Sequence, residues 1–232
     1  MLIRGLEKCS VIDYPGKIAA VLFIAGCNFR CPYCHNPELV LNKEEKLQKF
    51  GEREILNFLK ERADFIEAVC ITGGEPTIEK ELPEFIKKIK KLGFAVKIDT
   101  NGTNPEILKY LIDNNLVDYI AMDIKAPLKD YKKVAMTEAN IDKIKESIEI
   151  IKKFSEYEFR ITLLPELISQ QDLLDIAKTL KGAKTFCLQQ FRARNCLNPE
   201  FNNKKTYSKE ELEQFKKLLE PYFEKVEIRV NN

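Results

Sequence analysis

What most constrains this chain is an alternation of two hydrophobic periods. Runs rich in β-branched and aromatic residues recur at Ile18–Ala25, Ala68–Thr72, Phe94–Asp99, Val117–Ile124, Phe159–Leu164, Thr185–Phe191 and Val226–Val230. Between them apolar residues fall at helical spacing: Leu82, Phe85, Ile86 and Ile89; Ile107, Leu108, Leu111 and Ile112; Ile141, Ile144, Ile148 and Ile151; Leu212, Phe215, Leu218 and Leu219. Start signals agree with these frames. Asn104-Pro105 reads as a cap with Pro at the first helical position, and Ser208 with Glu211 as a capping box. Strands alternating with helices predict βαβ units and a parallel sheet, either open and doubly wound or curled into a complete or partial barrel. Six strand–helix units and a last strand are fewer than a full eightfold barrel needs. The stretch Lys125–Asn140 reads as one long loop, a length that is often functional.

At 232 residues the chain is expected to form a single domain spanning 1–232. Lys and Arg number 38 and Asp and Glu 36, a net +2. That balance gives no reason to expect nucleic acid or an acidic membrane surface as a partner. No apolar run approaches the ~20 residues of a membrane span. Met1–Val11 has neither a signal-peptide core nor a transit-peptide pattern. A soluble, cytoplasmic protein is expected. The seven cysteines are an odd count, and Cys27, Cys31 and Cys34 crowd into one stretch. This argues for metal or redox chemistry over a secreted disulfide framework.

The residues that core building does not explain follow the carboxyl ends of the expected strands. They are Gly26 to Asn36, Gly73-Gly74-Glu75-Pro76, Asp99-Thr100-Asn101-Gly102, Asp123-Ile124-Lys125, and Gln189-Gln190-Phe191-Arg192. Parallel α/β folds bind ligands at that rim. Gly, Pro, Asn and Asp also mark turns, which covers any one of these loops but not all of them together. The spacing C-x3-C-x2-C suits an iron–sulfur cluster. A closed structural zinc site needs four ligands, and the lone histidine, His35, adjoins Cys34, an awkward geometry for one ion. A zinc-binding interaction module stays open as the non-enzymatic alternative. Three thiolates on a four-iron cluster would leave one iron open to a small molecule. Gly73 and Gly74 allow close backbone approach, and Glu75 adds an acceptor for an amino group. Asp99 and Asp123 read as strand-end caps or as holders of a cation, and Lys125 as a point charge for a carboxylate. Cys70 and Cys187 read as buried small apolar residues, Cys9 and Cys196 as loop residues.

Taken together these motifs resemble the radical S-adenosylmethionine (SAM) superfamily. Ser10 to Lys17, Gly26-Cys27-Asn28, Cys34-His35-Asn36-Pro37 and Asp123-Ile124-Lys125 resemble one branch of it more closely. That branch is the glycyl-radical-enzyme activating enzymes, nearest the activating proteins of anaerobic ribonucleotide reductase and related to that of pyruvate formate-lyase. The resemblance implies a partial (β/α)6 TIM-type barrel of parallel strands with an extra C-terminal strand. It implies a [4Fe–4S] cluster on Cys27, Cys31 and Cys34 whose open iron chelates SAM. It places the SAM amino group at Gly73, Gly74 and Glu75, its carboxylate at Lys125, and adenine against the backbone of Tyr33 and His35. Asp99 and Asp123 fall where relatives bind a monovalent cation beside SAM. Asp13 falls where relatives touch the target's glycyl loop, although Tyr14 stands where the signature usually has glycine. The implied activity is anaerobic and oxidoreductive: reductive cleavage of SAM, with an electron from a donor such as flavodoxin or ferredoxin. A 5′-deoxyadenosyl radical then takes hydrogen from a glycine of a glycyl radical enzyme, of the ribonucleotide reductase or pyruvate formate-lyase type. A small-metabolite enzyme resembling deazaguanine synthases is the alternative within the superfamily. Arg160 and Arg192 read as contacts to SAM or substrate, or as strand-end ion pairs.

Overall fold

The computed structural model describes residues 1–43 and 47–230. Its strands form an eight-stranded sheet in which each lies beside its neighbour in sequence, from β1 at one end of the order to β8 at the other. The residues divide into two compact units, neither of them a continuous stretch of chain.

The first unit comprises residues 1–28, 38–100 and 104–120. Its strands are β1 (Ile3–Ser10), β2 (Ala19–Ile24), β3 (Ala68–Gly73) and β4 (Ala95–Thr100). β1 was not expected. It pairs antiparallel with β2, with register shifts between Ile3 and Gly5 and between Glu7 and Ser10. Its sequence carries five polar or glycine positions among eight, so periodicity could not reveal it. β2, β3 and β4 pair in parallel as expected, with Ala19 beside Ala68 and Ala68 beside Ala95. The helices are α1 (Pro37–Val40), α2 (Glu52–Glu61), α3 (Leu82–Lys91) and α4 (Pro105–Asp113). α3 buries Leu82, Phe85, Ile86 and Ile89, the face its period predicts, and places Lys88, Lys90 and Lys91 in its last turn, where the helix dipole favours cations. Asn104 is at the start of α4, but its side chain does not cap the helix; its amide donates to Thr77 Oγ1 at 3.0 Å. Tyr14 is buried over Ala19 and Ala68, with Ala95 and Tyr119 packed against them. Small strand residues make room for the ring, so the tyrosine at a position where glycine was the usual residue is a core anchor.

β5 (Tyr119–Asp123) carries the chain from the first unit into the second, which comprises residues 29–37, 101–103 and 121–232. Here β6 (Tyr157–Leu163), β7 (Thr185–Gln190) and β8 (Lys225–Arg229) are parallel, with Phe159 beside Phe186 and Phe186 beside Val226. The expected C-terminal strand is therefore present. The stretch after Lys125 is less of a loop than expected: it holds a 3-10 turn, Leu128–Asp130, and the short helix α5 (Tyr131–Ala135). α6 (Ile141–Lys152), α7 (Gln170–Leu180) and α8 (Lys209–Leu219) follow. The capping box at Ser208 and Glu211 is formed, and Ser169 with Asp172 forms another ahead of α7. Among the described residues no helix is long and apolar enough to cross a membrane.

Candidate functional site

In the first unit, β3 runs into the double-glycine loop. Gly73 has φ +112°, and a Cβ on it would meet Ile24 N at 2.6 Å; a Cβ on Gly74 would meet Gly26 O at 1.8 Å. Both neighbours are backbone, so neither position admits a side chain. The close approach is held by hydrogen bonds: Gly74 N–H donates to Ile24 O and Glu75 N–H to Gly26 O, each at 2.8 Å. The loop is thus tied to the residue that precedes Cys27. Glu75 is buried, and its Oε1 accepts from Thr77 N at 3.1 Å, Thr77 Oγ1 at 2.5 Å and Thr100 Oγ1 at 2.8 Å. Its carboxylate therefore braces the turn that follows it. Asp99 lies at the end of β4 and is ion-paired with Lys97, two residues back on the same strand face. Lys97 stands beside Cys70 in the parallel register, and its Nζ donates to Cys70 Sγ at 3.6 Å. The Cys70 thiol in turn points at Asp99 Oδ1, 3.9 Å away. Asp13 accepts from Ser10 Oγ at 2.5 Å and lines an open groove of about 750 Å³ beside β1.

In the second unit, Cys31, Tyr33, Cys34, Asp123 and Lys125 lie within electrostatic reach of one another. Cys31 and Cys34 are free thiols joined by a tight turn, with Cys34 N–H donating to Cys31 O at 3.0 Å. Burial pushes the Cys31 thiol up to about 11; Lys125 opposes that shift, while Cys34 and Asp123 add to it. Burial would also raise Asp123, but the Arg160 guanidinium and the Lys125 ammonium outweigh it and hold the carboxyl well below the usual range. Arg160 Nε donates to Asp123 Oδ1 at 2.9 Å, and Lys125 Nζ to Oδ2 at 3.4 Å. Arg160 thus makes the strand-end ion pair that was one of its two readings. Burial works against the charge on Lys125, yet Asp123, Tyr33 and the two thiols together keep it an ammonium. The Lys125 N–H donates to the buried Tyr131 hydroxyl at 3.3 Å.

The cysteine loop is held by the segment after β7. Leu197 N–H donates to Cys34 O and Asn198 N–H to Pro32 O, each at 2.9 Å. His35 Nε2 bonds Arg192 O at 2.7 Å, and its ring stacks on Phe191 with centroids 5.7 Å apart. The Tyr33 ring meets the edge of Phe191 at 6.4 Å. Phe191 was noted only as part of the strand-end rim, and the 195–198 turn was not singled out, because nothing local in sequence marks a segment that grips another 160 residues away. Lys97 did carry a signal: it is a charge between the apolar Val96 and Ile98 in the middle of a strand. Cys70 and Cys187 are buried as expected; burial pushes Cys187 up to about 12. Cys196 is buried too, with its Sγ 3.6 Å from Arg194 O.

The donor chemistry suits an iron–sulfur cluster. Buried thiols in this setting stay neutral by themselves, and metal ligation deprotonates them. Among the described residues no three His, Cys, Asp or Glu gather around a single ion. A four-iron cluster takes its thiolates one per iron, so a shared ion is not what such ligands need. A monovalent cation fits less well. In its own unit each carboxylate expected to hold one is already paired with a side-chain cation, Asp99 with Lys97 and Asp123 with Arg160 and Lys125.

Comparison with known proteins agrees. The model of the radical SAM superfamily matches residues 21–180. A Methanocaldococcus jannaschii protein, provisionally named a glycyl-radical enzyme activating enzyme, is 36% identical over 100% of this chain and 97% of its own length. A 7-carboxy-7-deazaguanine synthase of Aquifex aeolicus is 36% identical over 38% of each chain. Among solved structures, a domain of a pyruvate-formate lyase-activating enzyme from Bacteroides vulgatus superposes with a TM-score of 0.55 at 16% identity, covering 71% of this chain and 99% of that one. The chain belongs to the radical SAM superfamily and is a radical SAM enzyme. The α/β fold expected as a partial (β/α)6 barrel is that family's fold, and the family's cofactors are a [4Fe–4S] cluster and SAM.

Proposed function

We propose that this protein activates a glycyl radical enzyme, with residues 1–232 acting as one radical SAM domain. The likeness that runs the whole length of the chain to a protein named for that activity carries the reading. Cys27, Cys31 and Cys34 would hold the cluster. When bound, it would supply one electron for the reductive cleavage of SAM, the source of the radical chemistry that takes a hydrogen atom from a glycine Cα of the partner. The chain's own residues bind and orient. Lys125, kept an ammonium by its anionic surroundings, receives the SAM carboxylate. The carbonyls of the Gly73-Gly74 loop receive the amino group, with Glu75 bracing that loop by its bonds to Thr77 and Thr100. Tyr33 and His35, packed on Phe191, offer the backbone against which adenine lies. Asp13 and its groove meet the partner's glycyl loop. The work is done without oxygen in the cytoplasm, with flavodoxin or ferredoxin as electron donor.

Anaerobic reconstitution with iron and sulfide, reduction in the presence of SAM, and addition of a ribonucleotide reductase or pyruvate formate-lyase type partner tests this. A glycyl-type EPR doublet on the partner is the expected result. The local likeness to a deazaguanine synthase favours a second reading, a small-metabolite substrate. Deoxyadenosine formed only with a small metabolite, and no doublet with any partner, would select it. One zinc per chain and no sulfide after anaerobic isolation would defeat both.

A further inference from the structure

The resemblance brings a monovalent metal cation to Asp99 and Asp123, and the side chains around both say otherwise. On β4, Lys97 and Asp99 project from the same face because they are two residues apart. The Lys97 side chain is 3% exposed and that of Asp99 12%, and the two are ion-paired. Cys70 completes the cluster as the residue beside Lys97 in the parallel register. A buried carboxylate stays ionised when a cation or several hydrogen-bond donors meet it, and an ammonium and an alkali ion compete for the same oxygens. In the second unit the Asp123 oxygens are divided between Arg160 at 2.9 Å and Lys125 at 3.4 Å. We infer that this chain replaces the alkali cation with its own side chains, Lys97 serving Asp99 and Arg160 serving Asp123, so that SAM binding and folding are indifferent to potassium and sodium.

The inference rests on the proposed SAM site, but one of its tests does not. Melting of the cluster-free protein is followed in potassium, sodium and tetramethylammonium chloride at equal ionic strength; the last is too large for a carboxylate site. The wild type should melt at the same temperature in all three. Lys97→Met, which leaves Asp99 without its ammonium, should melt lower in tetramethylammonium and recover saturably with potassium or sodium; Lys97→Arg should remain indifferent. On the reconstituted protein, wild-type SAM affinity should agree within about twofold across the salts. The Lys97→Met affinity should fall about tenfold or more in tetramethylammonium and return with an alkali ion. Saturable stabilisation of the wild type by potassium or sodium would overturn the inference, and so would a Lys97→Met protein that responds to neither ion. If Lys97→Met does not fold, the wild-type titration decides alone. Failure of SAM to bind in any salt would defeat the proposed function, while the melting series would still decide whether Lys97 replaces the ion.

Discussion

Cys31 shows how far one side chain's chemistry depends on what surrounds it. In the cluster-free protein its thiol is raised from an ordinary 9.0 to about 11, burial being the main cause. It should therefore alkylate slowly at neutral pH compared with the exposed Cys9, and its rate should climb towards pH 11; peptide mass spectrometry after timed iodoacetamide treatment reads both. The sign for stability follows. The unfolded thiol ionises near 9 and the folded one near 11, so this contribution is whole below 9 and is lost as pH rises between those values. Asp123 has the opposite sign. Its carboxyl is depressed by Arg160 and Lys125, so its contribution is present above the unfolded value of 3.8 and disappears as pH falls through the folded value. Asp123→Asn should cost about 1–3 kcal/mol at pH 7. It should cost much less in strong acid, where the wild-type carboxyl is itself protonated. Urea midpoints at the two pH values check this.

At the scale of elements, the loop after β3 and the segment after β7 do the positioning. The loop after β3 succeeds only because two glycines let backbone lie against backbone. Gly74→Ala sets a methyl 1.8 Å from Gly26 O, which cannot yield as a flexible side chain would. The expected cost is above about 3 kcal/mol, at the large end for single substitutions. Gly51→Ala, where φ is an ordinary −75° and no atom lies within 4 Å, should change stability by about 1 kcal/mol or less. Thermal melts of the two variants make the comparison. The segment after β7 grips the cysteine loop through the Leu197 and Asn198 N–H groups, the Asn195 side-chain amide, which donates to His35 O at 3.3 Å, and the Phe191 ring; nothing in those residue types marks a partner so distant in sequence. The strand-end motifs, by contrast, were readable because glycine pairs, clustered thiols and a DIK tripeptide are costly to place anywhere else. Lys125 and Asp123 were legible as types, but their partner Arg160 was one of two readings until β6 placed it 2.9 Å from Asp123.

At the scale of the whole molecule, the C-terminal strand is tied in by charge. Arg229 on β8 makes a two-armed contact with the buried Glu158 on β6, at 3.0 and 2.6 Å, reaching past β7. Removing that guanidinium leaves a carboxylate buried without its main counter-charge. Arg229→Ala should destabilise the protein by about 2 kcal/mol, less than a fully buried pair because the arginine is a third exposed. Arg229→Ala/Glu158→Gln should recover part of it; chemical denaturation of the two variants decides.

Sequence by itself determined the alternation of strand and helix, the parallel pairing of β2 with β3 and β3 with β4 and of β6 with β7 and β7 with β8, and the stretches that bear chemistry. These follow from local period and from residue types that destabilise a fold when clustered at strand ends without a chemical use. Only the tertiary structure decided that β1 is a strand and that Tyr14 is core. It also decided that Glu75 braces its own loop and that Lys97 and Arg160 meet the two aspartates. Each of these depends on how side chains and backbone meet in space, and a hydrogen bond or ion pair formed that way leaves no periodic mark on the residues that make it.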